Sequence, residues 1–483
     1  MTLVRGHHER FLKLFSFIGT IMPVKSSSQS SSDTFEMTFT HWASDGTAEG
    51  LYEGKRLHLA QAFPGETFRL QRTTHGKTFT LTALARLTQS PYRRSPTCRY
   101  LEDTPPCGGC LWGALAYEEQ CRQKEAQLLA ALAHEGVTPP TLEPFLGAKQ
   151  TQHYRGKNLF IPIKTEDHWA WGFYASGSHQ KVATPECQAI APWMNEVAGL
   201  IAHALEKSSF EVYNEADHTG DVRGLLLREG APSTAERLVA LILRTRPNEA
   251  HFALLRSLAD SLSRSHGIKA FLLNINPERG NALLGTENLA LTDEESISTD
   301  IDGLTFSVGV NTFLQIHREQ MLALYREALN WASITPETRF MDLYCGVGTL
   351  TLLGARQAKH AVGVEAVEPS IVAARENARR NALHNTTFYC VPVEKALGTL
   401  IAQGERPDVI MADPAFKGMA ENVPALLAAS GAKRVVYISC NPKSFARDAR
   451  ELIAHGFKLT RLRAVDLFPD TPHVETLGCF ERA

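Results

Sequence analysis

The segment RFMDLYCGVGTL (residues 339–350) decides the fold of this 483-residue chain. It begins as an apolar run, typical of a buried strand, and passes through Gly346 and Gly348 into a helical sequence. Small residues at the end of a strand let a ligand approach the backbone, and the first N–H groups of the next helix are free to bind it. The segment therefore predicts a cofactor-binding loop in a parallel α/β sheet.

Further apolar segments follow, and helical sequence separates most of them. They are HAVGVEAVEPS (360–370), TTFYCVPV (386–393), PDVIMADP (407–414) and KRVVYISCNP (433–442). This repetition predicts a doubly wound, Rossmann-like domain over residues 306–483. Two extended segments at its end, FKLTRLRAVDLF (457–468) and HVETLGCFE (473–481), predict an antiparallel hairpin on one edge of the sheet.

The first 305 residues predict three further units. Residues 36–87 alternate polar and apolar positions between short turns, which is typical of a small β-barrel. Residues 88–305 predict a cysteine-bearing loop, a helix over 114–131 and a mixed α/β domain. Residues 1–35 combine basic, apolar and serine-rich stretches, and they predict a disordered extension, with a targeting peptide as the alternative.

The composition is that of a globular protein, and its charge is uneven. The net charge is -2, yet residues 55–99 hold nine Lys and Arg against one acid, Glu66. Such a block is either a surface for a phosphate backbone or an ordinary solvated face. The nine cysteines do not form a secreted disulfide framework, so we expect a reducing, cytoplasmic location. No apolar run is long enough to span a membrane.

The glycine pair alone is weak support for any particular cofactor. Glu365 ends the next predicted strand, where a carboxylate can accept hydrogen bonds from ribose hydroxyls, and Asp342 lies within the strand before the loop. The third glycine of a pyrophosphate-binding motif is absent. The pattern favours S-adenosylmethionine over a dinucleotide such as NAD, and a purely structural turn is the remaining alternative.

Two strand ends carry reactive side chains. Asp413 and Cys440 each follow a predicted strand, and in an open α/β sheet chemistry occurs beyond the carboxyl ends of the strands. Asn441-Pro442 takes Cys440 out of the sheet, which favours a nucleophile over a packing cysteine. Glu475 lies in the last extended segment, which could return over the same crevice. It is either a general base or a surface carboxylate.

These segments together resemble the family of RNA uridine-5-methyltransferases, from about residue 36 to the C-terminus. VVYISCNPKSFARD (435–448) is similar to the nucleophile motif of the family, DLYCGVGT (342–349) to its cofactor loop, and LFPDTPHVET (467–476) to its base motif. NTFLQIH (311–317), YRGK (154–157) and GFYASGSHQKVATPEC (172–187) resemble other family segments. The barrel resembles the OB-like, RNA-binding TRAM domain of part of the family.

The resemblance implies a mechanism and a set of site residues. Cys440 adds to carbon 6 of a uracil, carbon 5 takes the methyl group of S-adenosylmethionine, and Glu475 removes the carbon-5 proton. The residues implied to surround the cofactor and the base are Gln315, Tyr344, Gly346, Gly348, Glu365 and Asp413.

The expected partner is RNA, with 23S ribosomal RNA favoured because the transfer-RNA branch of the family usually lacks the barrel and the cysteines. The alternatives are a transfer RNA uridine, or a catalytically silent RNA-binding or folding factor. We expect no DNA or membrane partner, and we expect the chain to act as a monomer.

Four cysteines, Cys98, Cys107, Cys110 and Cys187, resemble the iron–sulfur ligands of family members that act on large-subunit ribosomal RNA. Four thiolates suit either a [4Fe–4S] cluster or zinc, and the resemblance favours the cluster. The gap after Cys98 is longer than in the family. Cys121, on the predicted helix, is interpreted as structural.

Three positions depart from the family pattern. Phe416 stands where an arginine is usual, and no apolar group replaces a guanidinium. Lys417 could supply the charge, but it lies one residue further along the chain. Thr349 and His317 each stand where asparagine is common.

Overall fold

The computed structural model describes residues 31–482 except 76, 77, 97, 104, 167 and 281. Residues 1–30 of the predicted extension lie outside this range. Residues 31–35 belong to the first strand, β1 (Ser31–Thr38), so the structure differs from the prediction over the last five residues of that segment. No helix in the described part of the chain is long and apolar enough to cross a membrane.

The N-terminal strands form two small antiparallel sheets that share one core. After β1 they are β2 (His41–Trp42), β3 (Ala48–Tyr52), β4 (Lys55–Leu59), β5 (Thr67–His75) and β6 (Thr78–Arg86). The sheet orders are β1-β5-β6 and β2-β3-β4. The alternating pattern predicted these strands because every second side chain, such as Met37, Phe39, Phe68 and Leu70, points into the shared core.

The central region contains a seven-stranded sheet. Its elements are α1 (Tyr117–His134), β7 (Lys157–Lys164), β8 (Trp169–Tyr174), β9 (Lys181–Ala183), α2 (Pro192–Glu206), β10 (Val222–Glu229), β11 (Arg237–Leu243), α3 (Glu249–His266), β12 (Ile268–Ile275) and β13 (Glu287–Ala290). The strand order is β13-β12-β11-β10-β7-β8-β9. Leu225 and Leu227 pack in the core shared with α2 and α3, and Leu226 packs on the opposite face.

The C-terminal region is the predicted doubly wound domain. Its elements are β14 (Ile297–Ile301), β15 (Leu304–Val308), α4 (Arg318–Ala332), β16 (Arg339–Leu343), α5 (Thr349–Ala355), β17 (His360–Glu365), α6 (Glu368–Arg380), β18 (Thr386–Cys390), α7 (Val393–Ala402), β19 (Val409–Ala412), α8 (Val423–Ala429), β20 (Arg434–Ser439), α9 (Pro442–Ala454), β21 (Phe457–Val465) and β22 (Glu475–Arg482). The boundary drawn between residues 305 and 306 falls inside β15.

The order of the C-terminal sheet is β18-β17-β16-β19-β20-β22-β21. The first five strands are parallel, and β22 runs antiparallel between β20 and β21. The α/β prediction is thus confirmed, with the hairpin on one edge. After β16 the chain continues to β17, which lies on one side of β16, and it later returns to β19, which lies on the other side of β16. A crevice therefore opens beyond the carboxyl ends of β16 and β19, where such sheets bind ligands.

Candidate active site

Cys440 and Glu475 lie on neighbouring strand ends. Ser439, the last residue of β20, pairs with Thr476 in antiparallel β22. Cys440 comes directly after Ser439 and Glu475 directly before Thr476, and the charge of Glu475 acts on the Cys440 thiol. Asp413 follows β19, which pairs with β20 on its other side. Three separate motifs therefore converge at one edge of the sheet.

Burial governs the protonation of this group. The pKa of the Glu475 carboxyl is raised well above its usual value by burial and then by the charge of Asp413. Burial raises the pKa of Asp413 to about 7. Burial, followed by the charges of Glu475 and Asp413, raises the pKa of the Cys440 thiol. Burial therefore favours the protonated forms of both the thiol and the Glu475 carboxyl.

Glu475 has a free oxygen directed at no protein donor. The residue is 1% exposed, and its Oε2 atom has no hydrogen-bond partner among the described residues. An unpaired buried carboxyl oxygen is costly unless a ligand completes its contacts. This arrangement fits a group that acts on a bound substrate.

The loop after β16 has the geometry of a cofactor cradle. Gly346 has a φ of 54°, and a Cβ atom placed there meets no atom within 4 Å. Gly348 is the N-cap of α5 with a φ of 83°. Tyr344, at the start of the loop, also has a positive φ, of 65°. The loop therefore presents bare backbone to the crevice.

Glu365 is fixed beside this loop by backbone donors. Its Oε1 accepts hydrogen bonds from the N–H groups of Ala366 (2.7 Å) and Val367 (2.9 Å). Its Oε2 lies 3.3 Å from the N atom of Gly346, which donates to it. A carboxylate held in this way keeps acceptor capacity for a ribose.

Asp342 is a buried acid that the prediction noted but did not include among the site residues. Its Oδ2 accepts a hydrogen bond of 2.6 Å from the Thr351 hydroxyl, and its Oδ1 has no partner among the described residues. Burial is the largest of the causes that raise its pKa to about 7. Its position on the strand before a glycine loop is the signal for including it.

Gln315 stays a predicted site residue. It is partly buried in the connection between β15 and α4. His317, two residues later, has a structural role: its side chain caps α4 and its ring stacks on Tyr154 with centroids 4.8 Å apart. The helix cap and the ring stacking account for a histidine at position 317, where asparagine is common in the family.

Comparison with known proteins agrees with this geometry. Residues 305–482 match the family model described as tRNA (uracil-5-)-methyltransferase. An uncharacterized RNA methyltransferase of Halalkalibacterium halodurans is 31% identical over 451 residues, which cover 93% of this chain and 97% of the relative. One of Staphylococcus epidermidis is 33% identical over 400 residues, with 82% and 86% of the two chains covered. The chain belongs to the family of S-adenosylmethionine-dependent RNA uracil-5 methyltransferases.

A solved structure extends the similarity of fold across this methyltransferase. The Pyrococcus abyssi tRNA (uracil-54, C5)-methyltransferase, in complex with S-adenosyl-L-homocysteine, superposes with a TM-score of 0.70. The alignment is 20% identical and covers 92% of this chain and all of the other. The shared fold therefore includes more than the Rossmann-like domain.

The loop after β19 explains part of the Phe416 departure. The Phe416 carbonyl accepts a hydrogen bond of 3.0 Å from the side-chain Nδ2 of Asn441, next to Cys440. Arg447 donates from Nη2 to the carbonyls of Lys417 (2.9 Å) and Met419 (3.1 Å). The methyltransferase thus holds this loop with a guanidinium from α9. Thr349, the third departure, is a buried first residue of α5.

The four predicted cluster ligands come together. Cys98, Cys107, Cys110 and Cys187 line one cavity, with the buried Arg155 beside them. Burial raises the pKa of the Cys107 thiol to about 11 and also raises those of Cys98 and Cys110. Within the described residues, no three His, Cys, Asp or Glu side chains lie in the arrangement that a single metal ion requires.

Six arginines of the basic block form ion pairs, five of them with carboxylates outside residues 55–99 and one with Glu66 inside them. The pairs are Arg56–Glu49, Arg69–Glu36, Arg72–Asp33, Arg93–Glu66, Arg94–Asp470 and Arg99–Glu186. Strand pairing between β1 and β5 brings several of these acids into place. The surface is therefore less positive than the count of Lys and Arg predicted.

Proposed function

We propose that this methyltransferase modifies carbon 5 of a uridine in RNA through a covalent bond between Cys440 and uracil carbon 6. The observation that carries the proposal is the register of β20 and β22, which brings a thiol near a buried carboxyl with a free oxygen. Uracil carbon 5 is a weak nucleophile until a group adds at carbon 6. The thiol and the carboxyl supply the two functions that this chemistry needs.

The proposed reaction balances protons as follows. Cys440 loses its proton to a carboxylate of the site other than Glu475, and that carboxylate returns the proton to the sulfur after the adduct is released. The sulfur of Cys440 bonds to carbon 6, which makes an enolate, and the carbon-5 proton later leaves from Glu475 to solvent. Carbon 5 attacks the methyl group of S-adenosylmethionine, and S-adenosylhomocysteine leaves. Glu475 then removes the carbon-5 proton, the carbon–sulfur bond breaks, and the thiolate is regained. The sulfonium charge of the donor lowers the pKa values of Glu475 and Asp413, which prepares them to accept protons.

The methyl donor fits the loop after β16. Gly346 and Gly348 leave room for it at the backbone, and Glu365 would accept hydrogen bonds from its ribose. Tyr344, Asp413 and Gln315 are proposed to complete the walls around the donor and the target base. The uridine must leave its stack to reach Cys440.

A ribosomal target, 23S RNA, is the favoured substrate. The support is the pair of N-terminal sheets, proposed as an OB-like TRAM domain, together with the four clustered thiols. A transfer RNA uridine is the second candidate. It is favoured by the family model and by the solved neighbour, whose alignment covers nearly the whole chain. The N-terminal strands alone therefore do not distinguish the two RNAs.

We propose that Cys98, Cys107, Cys110 and Cys187 hold a [4Fe–4S] cluster. In such a cluster each thiolate binds a different iron, so the thiols lie further apart than around one zinc ion. The four thiols line one cavity, which supports a shared site for them. The positive charge of Arg155 would balance thiolates there. Anaerobic purification should give a brown protein with iron and sulfide, and stoichiometric zinc would contradict this assignment.

The covalent mechanism is tested with two variants. Cys440→Ala should abolish methylation while RNA binding is kept, and retained turnover would refute the mechanism. Glu475→Gln should form the adduct but release it slowly, because a general base contributes about 10²–10⁴-fold. The adduct is measured as protein–RNA product on a denaturing gel. Mapping 5-methyluridine in ribosomal and transfer RNA, with and without the protein, identifies the substrate.

A further inference from the structure

Glu475 is the first residue of β22 and pairs with Val465 of β21, and its Oε2 has no hydrogen-bond partner among the described residues. The placement of its side chain therefore follows from its backbone, which is set by this pairing and by the preceding turn, residues 466–474, which connects β21 to β22. The turn contains Asp470, which is 7% exposed and has a φ of 63°. A left-handed conformation is unfavourable for a non-glycine residue, so contacts must impose it.

The contacts of Asp470 all come from the cysteine-bearing segment, residues 94–120. Its Oδ1 accepts hydrogen bonds from Arg94 Nη2 (2.6 Å) and Gln120 Nε2 (2.8 Å). Its N–H donates to Gln120 Oε1 (2.9 Å), and its carbonyl accepts from the Trp112 N–H (2.9 Å). Four hydrogen bonds thus fix one residue of the turn in three dimensions.

The same turn has further contacts. Within it, Thr471 donates from its N–H and its hydroxyl to the Phe468 carbonyl, and the His473 N–H donates to the Thr471 hydroxyl. Tyr154 donates to the Pro469 carbonyl over 3.2 Å, and Lys124, from α1, binds Asp466 and the Phe468 carbonyl at the base of the turn. Asp470 therefore makes four of the five described hydrogen bonds that join residues 469–471 to other parts of the chain.

Asp470 also borders the cysteine cavity. It lines that cavity together with Cys110, and Trp112, which binds its carbonyl, is two residues from Cys110. The hydrogen bond from Trp112 thus connects the backbone after Cys110 to the turn. The path consists of hydrogen bonds and one short stretch of chain.

We infer that Asp470 is a positioning residue for Glu475 and that it ties the base to the cysteine-bearing segment. This inference rests on the proposed role of Glu475. A misplaced base leaves substrate binding and adduct formation intact but slows release of the adduct. The expected signature is therefore a lower kcat with an unchanged KM, together with accumulated adduct.

The test compares Asp470→Ala with Asp470→Asn. Asparagine tolerates a positive φ, and its amide oxygen can still accept from Arg94 and Gln120, so this variant should stay close to wild type. Alanine loses both features, and a displacement of the base by about 1 Å costs about 10²-fold in kcat. The adduct lifetime should rise by the same factor, and KM for RNA should not change.

Asp302→Ala is the matched control. Asp302 also has a positive φ, of 53°, and also pairs with arginines, Arg326 and Arg356, but it lies in the turn between β14 and β15. This variant should lose stability without accumulating adduct. The inference would be overturned if folded Asp470→Ala turned over at the wild-type rate, or if it lost activity without accumulating adduct. If Asp470→Ala does not fold, Arg94→Met removes one contact and should give a smaller rise in adduct lifetime.

The tie to the cysteines is tested by hydrogen exchange in residues 466–476. Cys110→Ser should speed hydrogen exchange in these residues. When Asp470→Ala is added to Cys110→Ser, the further increase in exchange should be smaller than that of Asp470→Ala alone, because both changes act on one path. Fully additive effects would refute the tie. Glu475→Gln distinguishes failure of the proposed base from failure of the proposed positioning role. If Glu475→Gln does not trap adduct, the proposed base is wrong. If it traps adduct while Asp470→Ala does not, only the positioning role is wrong.

Discussion

Three buried acids, Asp342, Asp413 and Glu475, lie at the strand ends around Cys440, and each has a raised pKa. Burial disfavours their charged forms, and the described protein offers few donors to compensate. Such acids lower the stability of the fold at alkaline pH, and a positively charged ligand relieves the cost. The site is thus suited to a sulfonium donor.

Asp413→Asn should change the pH dependence of stability. With its pKa raised to about 7, Asp413 keeps its proton in the folded chain, whereas an unfolded Asp loses it near pH 4. Unfolding therefore releases a proton between these values, and wild-type stability falls as pH rises through them. The variant should be more stable than wild type by about 4 kcal/mol at pH 8, with no difference below pH 4. Chemical denaturation measures the free energy of unfolding at each pH. Asp260→Asn, at an exposed position, should not change the pH dependence of stability.

Glu365→Gln should weaken binding of S-adenosylmethionine. Hydrogen bonds to a charged group contribute about 1.5–3 kcal/mol, so the Kd should rise by about 10–100-fold in calorimetric titration. Glu368→Gln makes the same change three residues later at an exposed position and should bind normally. Equal affinities for wild type and Glu365→Gln would remove this residue from the cofactor site.

At the scale of elements, the parallel strands were predictable and the ion pairing of the basic block was not. The apolar runs ending in Glu365, Asp413 and Cys440 mark strands because a doubly wound sheet is buried on both faces. By contrast, Asp33 and Glu36 face Arg72 and Arg69 only once β1 and β5 pair in one register. A sequence window shows the charges of one strand and not those of its neighbour. The hydrogen bonds of Asp470 escaped prediction for the same reason.

The two glycines of the loop before α5 should respond differently to alanine. Gly348→Ala places a Cβ atom 3.1 Å from Ala374 and 3.3 Å from Phe388 at a positive φ, so it should lose about 1–2 kcal/mol of stability. Gly346→Ala meets no protein atom and pays only the conformational cost, but its methyl group enters the open cradle. Donor affinity should therefore fall more for Gly346→Ala. Thermal unfolding and calorimetry separate the two effects, and a larger loss of affinity for Gly348→Ala would contradict this account of the cradle.

At the scale of the whole molecule, buried polar contacts join the regions. Lys124 on α1 and Asp466 beyond β21 form an ion pair of 2.7 Å with both side chains fully buried. Tyr117 and Gln320 also bind Asp466, from α1 and α4. The regions are therefore expected to unfold together.

Lys124→Ala should destabilise the fold by about 3–5 kcal/mol, because it leaves a buried carboxylate without its cation. Lys433→Ala removes an exposed cation from a 3.8 Å pair with Asp408 and should cost less than about 1 kcal/mol. Denaturant unfolding compares the two variants. Similar losses would mean that the buried pair does not join the regions.

The insertion of β22 between β20 and β21 has a consequence for synthesis of the protein. A ribosome adds Glu475 only after the glycine loop and Cys440, the proposed nucleophile, and domains begin to fold during translation. The growing chain can therefore carry the loop and the thiol before Glu475, the proposed base, is added. Such a chain could capture RNA without releasing it. Under the proposed mechanism, activity begins only when β22, which starts at Glu475, pairs with β20 and β21.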